Sequence, residues 1–451
     1  MTAPPWGRWL PGNGWDALDA EEAPPRTVSV VVTHFEQPDQ LARTLAALAR
    51  QTLPPDDVVV ADDGSSEAPR VPPGVRLVRQ EDHGFRAAAA RHLGASHTTG
   101  DVLVFLDADT TPEPGLVEAL TRLPRLQPDL LAVGRRRHAA LEGTPVEAPV
   151  EETGPAHELP EPAWLRTAYA GSRDLLDADD LSCRFVISAV LACSRWWYDE
   201  VSGFDTTFTA YGGEDWELAH RSWLAGGLVA HVPAAVAWHD GPDAGASPRG
   251  VATVETSAIA GRIGAPGLAP HGLLAIGGRA VPVDRVLAPS TSLEDRELLL
   301  VVDAALRADP GARLSLDERQ AAVVGPDPRV LVRAGSSVEA VLPTGARVLV
   351  ELHRAWQLDD DGWRALLRGG TSLDVADGAP VATRTALRLE RRARRWGVPA
   401  ALRTSASAGG RPLPDDLTLE AWFGGWSDGP PRSTSSGGSS SGGTAAPASD
   451  K

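Results

Sequence analysis

The sequence predicts an α/β protein: a mixed, mainly parallel sheet with helices on both faces, followed by a second, α+β unit of unknown type. Two observations carry this. From Thr27 onward, short β-branched runs alternate with segments whose apolar residues recur at helical spacing. The runs are also unbroken by charge, as expected of strands buried on both faces.

Residues 1–26 read as a proline-spotted lead-in. Val28-Ser29-Val30-Val31-Val32 is the first strand. Leu41, Leu45, Leu48 and Ala49 follow at helical spacing, and Pro54-Pro55 ends that helix. Val58-Val59-Val60 makes the next strand, 87–97 a helix, and 102–106 a third strand. Residues 124–165 are rich in Pro, Glu and Ala and read as a long loop or lid. Order resumes over 178–239, with 216–223 as an amphipathic helix, and 241–247 reads as a boundary. Beyond it, 298–302, Val330–Val332 and Val348–Leu352 read as strands, and 362–368 and 385–395 as helices. The Ser/Gly-rich stretch 433–449 reads as disordered. No internal repeat is evident. The resulting division is 1–26 lead-in, 27–243 first domain, 244–431 second domain of unknown function, and 432–451 tail.

The chain has 451 residues, 42% hydrophobic, enough for two or three real cores. Its net charge of −17 argues against nucleic-acid binding, which needs a basic face. Cys183 and Cys193 support neither a disulfide framework nor a thiolate zinc site and read as buried thiols in a reducing compartment. The N-terminus lacks a basic start followed by an apolar core. No run of about 18 apolar residues predicts a spanning helix. The expected place is the cytoplasm.

Acidic residues cluster at strand ends. Asp62-Asp63-Gly64-Ser65-Ser66 follows the second strand, where open parallel sheets bind ligands. It reads either as an acceptor for a base or ribose, or as a plain turn. Asp107-Ala108-Asp109 ends the run Val102-Leu103-Val104-Phe105-Leu106 and supplies hard oxygen ligands suited to Mg²⁺ or Mn²⁺ on a diphosphate. Arg86 and Arg91 open the preceding helix, as diphosphate partners or as structural ion pairs. Tyr211-Gly212-Gly213-Glu214-Asp215-Trp216-Glu217 joins a two-glycine turn to three acids. A carboxylate there can take a proton from an acceptor hydroxyl, and acids in a first helical turn also favour the dipole. His239 is either a metal ligand or a structural histidine.

Together these motifs resemble a family 2 glycosyltransferase of the GT-A (Rossmann-like) fold, over about residues 27–239. The carriers are Val30-Val31-Val32-Thr33-His34-Phe35-Glu36, Val60-Ala61-Asp62-Asp63-Gly64-Ser65, Gly84-Phe85-Arg86 with Ala90-Arg91, Leu106-Asp107-Ala108-Asp109, Gly203-Phe204-Asp205, and the Gly212-Gly213-Glu214-Asp215 stretch. The last resembles the acceptor-side motif of galactosyl- and N-acetylgalactosaminyltransferases, including chondroitin-polymerase-like enzymes. The resemblance implies that Asp62 or Asp63 contacts uracil or ribose, with Thr33 and Glu36 lining the nucleotide pocket. Asp107 and Asp109 would hold the Mn²⁺ or Mg²⁺ diphosphate, with His239 a third ligand. Asp215 would be the catalytic base and Glu214 would bind a sugar. The implied reaction is inverting transfer from a nucleotide-sugar, UDP-linked in the first instance, to a saccharide or lipid-linked hydroxyl in polysaccharide or glycoconjugate synthesis. The family usually has Asn after the Ala-Arg pair; here it is His92.

Two other classes compete. A transferase-like binding or assembly protein has no reason to keep Asp107, Asp109, Glu214 and Asp215 together. A nucleotidyltransferase would carry a Gly-rich basic loop after the first strand, unlike Thr33-His34-Phe35-Glu36. Arg388, Arg391, Arg392, Arg394 and Arg395 share one probable helix. A basic amphipathic helix can dock peripherally on an anionic membrane; an exposed basic face paired with acids of an acidic protein is the favoured reading.

Overall fold

A computed structural model describes residues 2–209, 211–243, 249–265, 267–333, 338, 342–368, 381–399, 403–406 and 410–423. The first unit runs β1 (Val28–His34), α1 (Pro38–Leu48), β2 (Asp57–Asp62), β3 (Val75–Arg79), α2 (Ala87–Ser96), β4 (Val102–Asp107), β5 (Thr110–Pro112), α3 (Leu116–Leu126) and β6 (Leu130–Ala139). It continues with α4 (Val150–Ala156), β7 (Glu158–Leu159), α5 (Ala163–Gly171), β8 (Val190–Ser194), α6 (Arg195–Glu200), α7 (Glu214–Leu224) and β9 (Leu228–Asp240). The strands order as β3-β2-β1-β4-β8-β6-β9-β5, with β7 on β6. From β3 to β4 all pairings are parallel; β8 runs antiparallel to β4 and β6, and β6 pairs parallel with β9.

Side-chain alternation along β1 divides the core. Val31 joins Ala88, Ala90 and Ala95 of α2 on one face, while Val30 and Val32 meet Leu41, Leu45 and Leu48 of α1 on the other. Each buried leucine contributes about 1.5–3 kcal/mol. The register sets Thr33 opposite Asp107 and His34 opposite Asp62. The acidic motifs therefore emerge side by side at the carboxyl ends of parallel strands.

Three expectations change. Residues 124–165 are not a lid: they contain β6, which lies between β8 and β9. Its first half, Leu130 to Gly134, is buried, and the Pro, Glu and Ala on which the loop reading rested are concentrated after it. The lead-in is part of the fold. Leu10 and Leu18 are buried in the core, and Asn13 bonds the backbone of Leu175 and Val229. Residues 298–302 are helical. An apolar run this short fits strand or helix, and a capping box between Glu294 and Glu297 starts a helix here.

The second unit contains α8 (Arg249–Ala260), the hairpin β10 (Ala275–Ile276) and β11 (Arg279–Ala280), β12 (Arg285–Pro289), α9 (Asp295–Ala308), β13 (Arg313–Leu316), α10 (Glu318–Val324), β14 (Val330–Val332) and β15 (Val348–Leu352). Then come β16 (Trp356–Gln357), α11 (Asp360–Arg368), β17 (Ala382–Ala386), α12 (Leu387–Arg395), β18 (Arg403–Ala406), β19 (Arg411–Pro412) and α13 (Leu419–Phe423). The expected α+β unit is thus an alternating sheet, β14-β13-β12-β15-β17-β18, parallel through its first four strands. It has its own core around Leu287, Leu314, Val350 and Trp363. The stretch 433–449 lies outside the described residues.

The basic helix α12 faces the first unit, not solvent. Arg388, Arg392 and Arg395 are buried, and their guanidiniums lie over Trp223, Trp9 and Trp197. Arg392 and Trp396 reach Asp129, while Arg388 and Arg391 donate to the carbonyls of Gly227 and Leu224. Burial pushes the Arg388 pKa down to about 9, with Arg392 adding to the shift. The membrane-docking face considered for this helix is therefore used within the chain.

Candidate active site

The site is assembled from the ends of β1, β2, β4 and β9 and the start of α7. Asp62 is fully buried. Its carboxylate accepts from Ser65, from Arg79 Nε at 2.8 Å and from His34 Nδ1 at 2.7 Å. The Gln37 N–H donates to His34 Nε2, so Nδ1 carries the hydrogen given to Asp62. Burial pushes the Asp62 pKa up, but the bonds from Ser65, Arg79 and His34 outweigh it and hold the group below its ordinary value. Asp62 is thus spent on holding the turn, and no surface remains for a base or ribose. Asp63 accepts from Gln80 and from Arg86 N at 2.8 Å. Its pKa is raised by burial.

Glu36 has a positive φ of 51° and accepts from Ser66 N, which ties the first loop to the second. Thr33 is buried with its hydroxyl unpartnered. Arg86 precedes α2 as its N-cap residue.

Arg91 joins the two acidic motifs. Nη2 meets Asp107 Oδ1 at 2.7 Å and Nη1 meets Glu214 Oε1 at 2.8 Å. Burial opposes its charge, but the two carboxylates outweigh burial and raise its pKa. Glu214 Oε2 is buried without a partner. Asp215 accepts from Trp216 N at 2.8 Å and Ser188 N at 3.4 Å. Its pKa is raised to about 7, first by burial and then by the charge of Glu214. Glu217 pairs instead with Arg221 four residues on, a structural role.

Gly212 and Gly213 both have left-handed backbones, at φ 85° and 93°. A Cβ on Gly213 would lie 2.5 Å from Ile259 of α8. The glycine pair therefore lets the chain turn sharply into α7 under the start of the second unit.

Asp109 and His239 face each other across the β5–β9 pairing, with Thr110 opposite His239. Gln37 Nε2 donates to Asp109 Oδ2 at 3.0 Å. His239 Nδ1 lies 3.2 Å from the Gly241 carbonyl, to which it can only donate. A neutral ring then turns the lone pair of Nε2 toward Asp109 Oδ2, 3.6 Å away. Two electron-rich atoms facing each other suit a cation between them, with the carbonyl fixing the tautomer. Among the described residues, no group of three or more His, Cys, Asp or Glu side chains is preassembled for a metal. Asp109 and His239 form a pair, and Asp107 is tied to Arg91.

Sequence reasoning missed Gln37, His34 and His138. The His138 ring lies 4.8 Å from that of His239 and also reaches the Gly241 carbonyl. It lies in the stretch read as a long loop or lid. His92, at the position expected to be Asn, meets the Tyr198 hydroxyl at 3.2 Å. Both cysteines are buried, with thiols pushed up to about 12 mainly by burial. No helix among the described residues is long and apolar enough to cross a membrane.

The family model described as Glycosyl transferase family 2 matches residues 29–163, and that for the N-terminal domain of galactosyltransferase matches 180–238. The chain is 28% identical to the hyaluronan synthase of Pasteurella multocida over 48% of this chain and 24% of that protein. It is 31% identical to the validoxylamine A glucosyltransferase of Streptomyces hygroscopicus subsp. limoneus, over 43% and 47%. It is 25% identical to polypeptide N-acetylgalactosaminyltransferase 10 of Rattus norvegicus, over 48% and 38%. The chain thus spans less than half the length of these relatives. A solved structure of GalNAc-T7 with UDP, GalNAc and Mn²⁺ aligns at TM-score 0.35 and 18% identity, over 49% of this chain and 44% of that one. Both family models lie inside the N-terminal unit, which is similar in sequence to family 2 glycosyltransferases.

Proposed function

We propose that the N-terminal unit transfers a sugar, with inversion, from a nucleoside-diphosphate donor, UDP-linked in the first instance, to a hydroxyl of a saccharide or lipid-linked acceptor. Polysaccharide or glycoconjugate synthesis is the setting this implies. The observation that carries the reading is the Arg91 bridge, which brings Asp107 of the donor side and Glu214 of the acceptor side to one guanidinium.

The roles follow from the chemistry of each group. Asp215, with a pKa near 7, is a carboxylate poised to take the acceptor proton at neutral pH. Glu214 is held by Arg91 with its second oxygen unsatisfied, so it can accept from a sugar hydroxyl. Asp109 and His239 would hold Mn²⁺ or Mg²⁺. That ion supplies charge neutralisation for the leaving diphosphate. Asp63 and Arg86 edge the nucleotide pocket, with Thr33 lining it from β1 and Glu36 from the loop that follows.

The test is transfer from radiolabelled UDP-sugars to saccharide acceptors by wild type and Asp215→Asn. Loss of transfer with UDP binding retained supports the reading. Undiminished transfer by Asp215→Asn overturns Asp215 as base.

A further inference from the structure

We propose that the second unit is an internal copy of the first that has lost its metal–diphosphate site, so that the described residues hold a single such site, at Asp109. The inference rests on the function proposed above for the first unit. No repeat is legible in the sequence, but five neighbouring strands of the two sheets share one order. β3-β2-β1-β4 and β14-β13-β12-β15 are parallel in the same order, and each continues into an antiparallel strand, β8 or β17.

The registers make the equivalence residue-specific. Val28 pairs with Val102 as Arg285 pairs with Val348. The interval from the first strand residue to the next helix N-cap is the same, Val28 to Gln37 and Arg285 to Glu294. Val102 pairs with Ser194, directly before α6, as Val348 pairs with Ala386, directly before α12. Even the short antiparallel pair recurs: β5 on β9, and β16 on β19.

Carrying the site across these registers shows what changed. His353 stands where Asp107 stands in the first unit, and Ala355 where Asp109 stands. Thr110 pairs with His239 as Trp356 pairs with Pro412, so a proline replaces the histidine. Among the described residues no helix lies between α12 and β19, so none of them is a counterpart of Glu214 or Asp215. The side chains of an alanine and a proline carry no atom that ligates a divalent ion, and the remaining His353 is bonded to Thr383 at 2.6 Å. The copy instead uses α12 to grip the carbonyl end of α7, the helix that carries Asp215 at its start.

The test is calorimetric titration of the full chain with UDP in Mn²⁺, for wild type, Asp109→Ala and His353→Ala. Asp109→Asn stands in should the alanine variant fail to fold. The expected result is one UDP per chain, lost in the Asp109 variant and unchanged in His353→Ala. Two UDP per chain overturns the inference, as does Mn²⁺-dependent binding that survives Asp109→Ala and falls in His353→Ala. Absence of any Mn²⁺-dependent binding by wild type overturns the function proposed for the first unit, and the single-site inference with it.

Discussion

Arg91 on α2 donates to Glu214 at the first turn of α7 at 2.8 Å, although 123 residues separate them in the chain. The pair is buried, and Glu214 already carries one unsatisfied oxygen. Removing one partner of a buried pair leaves an uncompensated charge, at about 3–5 kcal/mol. Arg91→Met is therefore expected to lower stability by that order in denaturant melts. Adding Glu214→Leu should recover part of it. No recovery would mean that the pair is not the main source of the loss.

Asp215 as the base predicts that transfer and stability run oppositely with pH. Its folded pKa is about 7 against an ordinary 3.8, so between these values the folded chain holds a proton that the unfolded chain has lost. Stability falls as pH rises through that window. Asp215→Asn removes the penalty and should be more stable than wild type at pH 8, by on the order of 1–3 kcal/mol. Near pH 4 the difference should disappear. In wild type, kcat/KM should rise with pH and level above about 7, as the base ionises. A flat profile over pH 5–8 would count against Asp215 as base.

The facing of Asp109 and His239 predicts a metal-dependent nucleotide affinity. In thermal-shift titrations, Mn²⁺ should strengthen UDP binding to wild type, because a ligand of the folded state raises its apparent stability by mass action. Asp109→Ala should lose the Mn²⁺ effect, and His239→Ala should weaken it at least tenfold. An unchanged Mn²⁺ effect in both variants would sink the assignment.

Gly213→Ala tests the turn into α7. It places a side chain at φ 93° and against Ile259. A loss of about 1–3 kcal/mol is expected from the backbone strain, with additional loss from the clash. Adding Ile259→Ala should return the clash component alone, as read by thermal melts of the single and double variants. Full recovery would show that the backbone angle is not limiting.

Arg392 lies under Trp9 and against Asp129, where the second unit meets the first. Arg392→Met should cost about 3–5 kcal/mol in denaturant melts by leaving Asp129 short of a buried partner. Because the face is buried, pelleting with anionic vesicles should not depend on this residue. Loss of vesicle binding at unchanged stability would restore a membrane role for α12.

Much of the first unit is legible from local sequence, because a strand buried on both faces and an amphipathic helix each leave a short-range pattern. β1, α1, β2, α2 and β4 announce themselves in this way, and so do the acidic motifs at their ends. β6 does not, since the Pro, Glu and Ala on which the loop reading rested are concentrated after it. The run 298–302 fits two states, and a cap outside it selects the helix. Sequence alone singled out the candidates for chemistry: Asp107, Asp109, Glu214, Asp215 and His239. Only the tertiary structure decided that Asp62 is consumed by His34, Ser65 and Arg79, that Arg91 ties the two acidic motifs together, and that the basic helix grips α7. These are contacts between residues remote in the chain. They depend on strand register and burial, which no local spacing encodes.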